Sequence, residues 1–276
     1  MTTVNEILLA DAPAIHGLTF RRFRGESDFP RMAALDQACA DADQVDDATT
    51  PEELANWFAH MTNCDPHKDM LFVEDAAGEL IATCRNWWRR EEATGYYIYG
   101  HSGRVSPKWR RRGIGRALLH HMQRRIREVI GEQGHPADAP RFFQTWAADT
   151  EVATEKLLTS EGYAPVRYSF EMMRPLVAGQ DDIPRFPLPE GFEVRPVQPD
   201  QWRALFEADV EAFRDHWGFS EPTEAHFQGW IEWKWFRPEL FRVAWDVEKN
   251  EIAGAWLTCS VCMLLMKHRS STILAV

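Results

Sequence analysis

Long apolar runs are missing from this sequence. The longest, Val261 to Met266, falls far below the ~20 residues that span a bilayer, so no membrane-spanning helix is expected. The start, MTTVNEILLA, has no basic residue and carries Glu6 ahead of a short apolar stretch. It therefore reads as neither a signal peptide nor a lipidation site, and a cytoplasmic location is expected. Cysteine is scarce and irregular, at positions 39, 64, 84, 259 and 262. An odd number at such spacings excludes a disulfide framework and suits a reducing compartment. Positive charge is in deficit: 31 Lys and Arg against 42 Asp and Glu leave a formal charge of -11. A surface of that sign repels polyanions, so neither nucleic acid nor an anionic membrane is expected as a partner, and any anion site must be local.

What is present is an ordinary globular balance, 45% hydrophobic and 26% charged over 276 residues, enough chain for two modest domains. Residues 18–24 alternate as a strand, and Phe29 to Ala42 carries Met32, Leu35 and Cys39 on one helical face. Thr49-Thr50-Pro51-Glu52-Glu53 predicts a helix start, with a Thr cap, Pro in the first turn and acids at the positive end of the dipole. Met70 to Val73, the turn Asp75 to Gly78, and Leu80 to Cys84 predict a hairpin. A strand over 96–105, an amphipathic helix to about Ile130, a strand over 142–146, a helix over 150–160 and a strand over 166–173 complete a mixed α/β order. Prolines at 175, 184, 187 and 189 mark residues 177–190 as a linker. The pattern then begins again: Phe192 to Pro196 answers Thr19 to Phe23, and Asp246 to Ala253 answers Asp75 to Ala82 at an offset of 171 residues. The second copy stops before any Gly-rich turn. Residues 191–276 thus read as an incomplete second domain, and 259–276 as an atypical tail of the kind a frameshift leaves. A sheet cut short there exposes an edge, through which pairing into a homodimer is expected.

Chemistry concentrates between Arg104 and Arg127, where nine Lys or Arg and no acid occur. A cationic, glycine-rich helix start offers backbone N–H groups and a favourable dipole to a di- or polyphosphate. The bland alternative is a solvated basic helix face. Neither the Walker pattern nor G-x-G-x-x-G fits.

The run Val105-x-Pro107-x-x-Arg110-Arg111-Arg112-Gly113-Ile114-Gly115-x-x-Leu118-Leu119 resembles the Gln/Arg-x-x-Gly-x-Gly/Ala signature of the GNAT superfamily of acetyl-coenzyme A dependent N-acetyltransferases. The Gly162-Tyr163 step stands where that family usually has Gly-Phe, and the resemblance covers roughly residues 18–176, within a complete domain expected over 1–176. The duplicated order resembles the tandem two-domain members of the superfamily, mycothiol synthase among them. The resemblance implies a GNAT-like mixed sheet flanked by helices, duplicated with the second copy truncated. It implies that the backbone of Arg111, Arg112, Gly113, Ile114, Gly115 and Arg116 holds the coenzyme A pyrophosphate. Arg110 would answer the nucleotide phosphates, and Gly103 and Val105 would pair with pantetheine. The reaction implied is direct acetyl transfer to the amine of a small molecule or peptide, without a metal.

His101, on the strand face of Gly103 and Val105, is the candidate general base, with an edge-of-core histidine as the alternative. Tyr97 and Tyr99 share that face. The family's usual Asn and Tyr on the late helix fall at Glu151 and Leu158, so the usual proton donor is replaced by leucine and Tyr163 is the remaining candidate acid. A non-catalytic coenzyme A binding or interaction protein is the competing expectation. Cys259-x-x-Cys262 lacks the second pair a zinc site needs, and His120-His121 diverge around their helix. Trp230, Trp233 and Trp235 are expected to pack rather than to bind.

Overall fold

The structure, a computed structural model, describes residues 6–45, 48–170 and 186–256 and the backbone of Ser270–Ala275. Its first half runs β1 (Thr19–Arg21), α1 (Phe29–Asp43), α2 (Pro51–Ala59), the single turn α3 (Pro66–Asp69), β2 (Met70–Glu74), β3 (Leu80–Arg90) and β4 (Tyr97–Val105). Then come α4 (Ile114–Gln133), β5 (Arg141–Ala148), α5 (Val152–Ser160) and β6 (Ala164–Phe170). The second half holds β7 (Phe192–Arg195), α6 (Trp202–Ala212), α7 (Glu224–Ile231), β8 (Arg242–Asp246), β9 (Glu251–Trp256) and β10 (Ser270–Ala275). Among the described residues the strands form one sheet in the order β1-β2-β3-β4-β5-β10-β6 and another in the order β7-β8-β9. Every pairing in the larger sheet is antiparallel except β4 with β5.

Local chemistry accounts for the boundaries. Thr50 caps α2 through a reciprocal box: its hydroxyl accepts from the Glu53 N–H at 3.3 Å, and the Glu53 carboxylate accepts from the Thr50 N–H at 2.9 Å. The β2–β3 turn closes on Asp75, whose carboxylate accepts from the N–H groups of Ala77 and Glu79. β2 is buried on both faces, and its alternation sorts the core. Leu71 and Val73 join Ile114, Leu118, Leu119 and Met122 of α4, while Met70 and Phe72 join Phe29, Met32 and Leu54 of α1 and α2. The sheet is thus covered by helices on both sides. Each fully buried Leu contributes roughly 1.5–3 kcal/mol relative to exposure.

One polar cluster lies inside this layer. Arg21 is fully buried, bidentate to Asp28 at 2.6 and 2.9 Å and bound through Nε to Glu74 at 2.7 Å. Arg24 and Arg31 also donate to Glu74. The cluster ties β1 to β2 and to the start of α1.

The larger sheet departs from the expected boundary at residue 176. β10 lies between β5 and β6, antiparallel to both, with Ile273 opposite Trp146 and Arg167. Backbone groups along β5 and β6 require partners, and this distant segment supplies them. Of the expected linker and tail, residues 177–185 and 257–269 lie outside the described residues, as do Cys259, Cys262 and the end of the 166–173 strand. The smaller sheet has its own core of Val197, Leu205, Phe227, Trp230, Phe241, Val243 and Trp245, so Trp230 packs as expected and Trp233 lies against that core, whereas Trp235 stays half exposed. It docks on the first half through α2 and the β3–β4 hairpin. Asn56 donates to the Gly229 carbonyl at 3.0 Å, Trp235 Nε1 to Glu53 at 2.9 Å, and Ser220 to the Arg90 carbonyl at 2.7 Å.

Arg21→Ala leaves Asp28, itself 1% exposed, without its guanidinium partner. The substitution should destabilise the protein by about 3–5 kcal/mol, because a buried charge loses its partner. Urea unfolding of the two proteins measures this.

Candidate active site

The register between β4 and β5 runs from Tyr97↔Arg141 to Gly100↔Gln144 and stops there. Beyond it the strands diverge. At the apex the Thr145 hydroxyl donates to the His101 carbonyl at 2.8 Å, which shows that odd-numbered residues of β4 turn their backbone groups toward β5. By alternation the N–H and C=O of Gly103 and the N–H of Val105 face the opening. Gly103 is exposed. The Val105 carbonyl already accepts from Arg110 Nε at 3.0 Å and from the Cys39 thiol at 3.4 Å. Across the mouth, Arg104 on β4 faces Glu151, the residue just before α5, at 3.7 Å, and donates to Asp36 of α1 at 3.3 Å.

The turn between β4 and α4 has the geometry an oxyanion needs. Arg111 and Gly113 both have positive φ, 62° and 87°, and α4 starts at Ile114. A β-branched residue at position 113 would be strained in this left-handed conformation, which glycine adopts freely. None of the N–H groups from Arg111 to Arg116 donates to a protein acceptor among the described residues. Six backbone donors at the turn and the helix N-terminus are thus without a protein acceptor among the described residues, and the helix dipole favours an anion beside them.

The side chains behave less simply than their sequence suggests. Arg110 turns inward to a bidentate pair with Asp43 at 2.6 and 2.7 Å, which holds its guanidinium pKa up. It locks the turn to α1 instead of facing a phosphate. Arg116 binds Glu161 at 2.6 Å, Arg125 binds Asp69, Glu128 and Glu132, and Arg124 pairs with Asp11. The acids missing from the Arg104–Arg127 stretch arrive from elsewhere in the chain. Lys108, Arg111 and Arg112 remain exposed around the turn, with Arg112 lying over the Trp109 ring.

His101 and Tyr163 are brought together. Tyr163 Oη and His101 Nε2 share a hydrogen bond at 2.9 Å, and the imidazole stacks on Phe143 at 4.2 Å between centroids. Each residue is only 3% exposed. Burial pushes the imidazole down to about 3 and the phenol up. Leu158, where the family usually has a tyrosine, is buried in the same cluster. Tyr99 is engaged with His135 at 2.7 Å, which leaves it no relay role. His120 binds Glu161 at 2.7 Å and His121 points elsewhere, its pKa pushed down to about 4 by burial and then by Arg22 and Arg124. No group of three or more His, Cys, Asp or Glu suited to a metal occurs among the described residues.

On the other face of the sheet, indole and guanidinium side chains from β3 and α2 meet. A Cβ on Gly100 would sit 2.2 Å from Trp87 Cε2, so only glycine lets the Trp87 indole lie across β4 at the apex. Beside it Arg85 stacks on Trp57 of α2, with Cζ 3.6 Å from the ring centroid, and lies 4.5 Å from the Trp87 ring. Arg85-x-Trp87 on one strand, with Trp57 on a helix, was the available signal; only the fold brings them together.

The buried imidazole has a measurable consequence. Unfolded histidine titrates near 6.5, so between that pH and about 3 the unfolded chain binds a proton that folded His101 refuses. Stability is full above pH 6.5 and should fall on acidification by up to about 1.4 kcal/mol per pH unit from this residue. Thermal unfolding from pH 7 to 4.5 should show this fall, and His101→Gln should flatten it.

Residues 66–160 match the family model described as an acetyltransferase (GNAT) domain. A mycothiol acetyltransferase of Geodermatophilus obscurus is 32% identical over 146 residues, which cover 52% of this chain and 43% of that protein. One from Thermobifida fusca is 28% identical over 236 residues, covering 81% of this chain and 66% of the relative. The matched region thus spans less than half of the first of these relatives. A solved GCN5-related N-acetyltransferase from Sphaerobacter thermophilus superposes with a TM-score of 0.58 at 25% identity, covering 88% of this chain and 72% of that one. Over residues 66–160, which include the Gly-rich turn and the strand opening, the chain is thus similar to the acetyltransferase (GNAT) domain, and its fold is similar to that of the Sphaerobacter protein.

Proposed function

We propose that this protein is an acetyl-coenzyme A dependent N-acetyltransferase acting on the amine of a small molecule or peptide in a ternary complex. The observation that carries this reading is the row of six N–H groups that meet no protein acceptor among the described residues at the start of α4, beside strands that diverge at Gly100 and Gln144. Residues Arg111 to Arg116 would hold the pyrophosphate, and Gly103 would offer N–H and C=O to pantetheine; the Val105 N–H would add a donor. Bound acetyl-coenzyme A supplies a thioester carbonyl for the amine to attack; the C–S bond breaks as the N–C bond forms, and the thiolate needs one proton.

In this reading Tyr163 gives that proton. Its phenol stays protonated because burial raises its pKa, and the neutral imidazole of His101 orients it. His101 then does not serve as the direct base suggested by its place on the strand, since an imidazole that protonates near 3 is too weak to hold a proton taken from an ammonium. The amine loses its proton to solvent, and Tyr163 is reprotonated from solvent. We further propose that residues 191–256 derive from a repeat of the first half, because β7-α6-α7-β8-β9 follows the order of β1-α1-α2-β2-β3 apart from the single turn α3.

A non-catalytic coenzyme A binding protein is the second reading, favoured by Leu158 in the place of the usual proton donor. Calorimetry with acetyl-coenzyme A should show binding that Gly113→Val weakens at least about tenfold, as the left-handed turn is lost. Absence of binding to the unaltered protein overturns both readings. Thiol release across a panel of amines separates them, and Tyr163→Phe should lower kcat by about 10²–10⁴ with little change in KM.

A further inference from the structure

Arg85 is an unusual cation for this chain. Most arginines close to the Gly-rich turn and the strand opening are held by carboxylates, yet Arg85 has no ion pair among the described residues. Its Nε donates to the Ser102 hydroxyl at 3.2 Å, and no protein acceptor meets Nη1 or Nη2 among the described residues. The stem is fixed by its register with Ser102 on β4, and the guanidinium plane is fixed by Trp57 at 3.6 Å and Trp87 at 4.5 Å. Asp36, whose charge reaches Arg85, is already an acceptor for Arg104. Burial against the indoles draws the guanidinium pKa down to about 10, so it is still charged at neutral pH while short of a counter-charge. The two Nη groups do not belong to the fully enclosed polar atoms that lack a partner.

Position makes this meaningful. Arg85 pairs with Ser102, one residue from Gly103 and two from Gly100, where β4 leaves β5. It lies on the sheet face of α1 and α2, opposite the His101–Tyr163 pair. An acceptor that reaches the apex from the α1–α2 side would pass the Trp87 indole and meet the open end of the guanidinium. A rigid planar fork held between aromatic faces matches a carboxylate bidentately, with charge-assisted hydrogen bonds roughly twice as strong as neutral ones.

We propose that Arg85 is a specificity-determining residue that binds a carboxylate of the acceptor, so that the preferred acceptor is an amino acid or a peptide whose amine lies within a few bonds of a carboxylate. This rests on the acetyltransferase reading for its place in the reaction. Its binding test does not depend on turnover.

The probes are N-acetyl-L-amino acids, which are product-like and unreactive, and their carboxamides, titrated into the full chain by calorimetry in the presence of coenzyme A. At least one acid should bind the unaltered protein ten or more times as tightly as its amide. Arg85→Gln should abolish that preference and Arg85→Lys should keep part of it, with coenzyme A affinity unchanged in both. Equal binding of acid and amide, no binding of any acid, or an intact preference in Arg85→Gln overturns the proposal. Should Arg85→Gln fail to fold, the acid–amide comparison on the unaltered protein decides. In turnover, free amino acids should exceed their amides in kcat/KM, with Arg85→Gln raising KM and sparing kcat. Coenzyme A binding without thiol release from any amine counts against the acetyltransferase reading alone.

Discussion

The parallel contact of β4 with β5 ends after four residue pairs, and the rest of the site is arranged around that ending. Continued pairing would satisfy the backbone of Gly103 and the N–H of Val105 within the sheet and leave nothing to offer a ligand. Because it stops, an edge opens inside an otherwise covered sheet, where an extended molecule can lie as a strand would. The two sides of the apex then carry different chemistry. One holds a buried, uncharged His101–Tyr163 pair, and the other an aromatic wall with a cation. Helix α4 begins next to this opening because the turn that follows β4 reverses through two positive φ angles.

Charge is allocated with similar economy. The cluster of cations near α4 looks in sequence like one large anion site, yet most of it is neutralised across long chain separations. Arg110 meets Asp43, Arg116 meets Glu161 and Arg125 meets Asp69. These pairs fasten α1, α5 and α3 to the turn and helix. Rigidity of the backbone donors follows, and with it a smaller ordering cost when an anion binds. Side chains left over, Lys108, Arg111 and Arg112, supply long-range attraction in a molecule whose net charge is -11.

Much of this was legible from residue order. The Thr50-Pro51 cap, the Asp75 turn, the α4 stripe and the glycine-rich helix start are local, set by hydrogen bonds and periodicities a few residues long, and each appears where it was expected. The pairing of Arg110 leaves no trace in its own segment, because the acid that claims it lies 67 residues away. His101 was read as a titrating base because exposure, and with it desolvation, is a property of packing. The tail was read as belonging to the second half, whereas β10 completes the first sheet; strand pairing across more than a hundred residues leaves no local trace. Arg85 and its two indoles went unread for the same reason, since three residues on two elements share a face only once the layers are stacked.

By itself, then, the sequence determined the elements, their order and the turn at which a phosphate can be held, because caps, left-handed turns and amphipathic stripes are encoded within single segments. The tertiary structure alone decided which cations stay available, that His101 stays uncharged and what lines each side of the strand opening. Those properties depend on desolvation and on partners brought from distant parts of the chain, and neither exists before the helices close over the sheet.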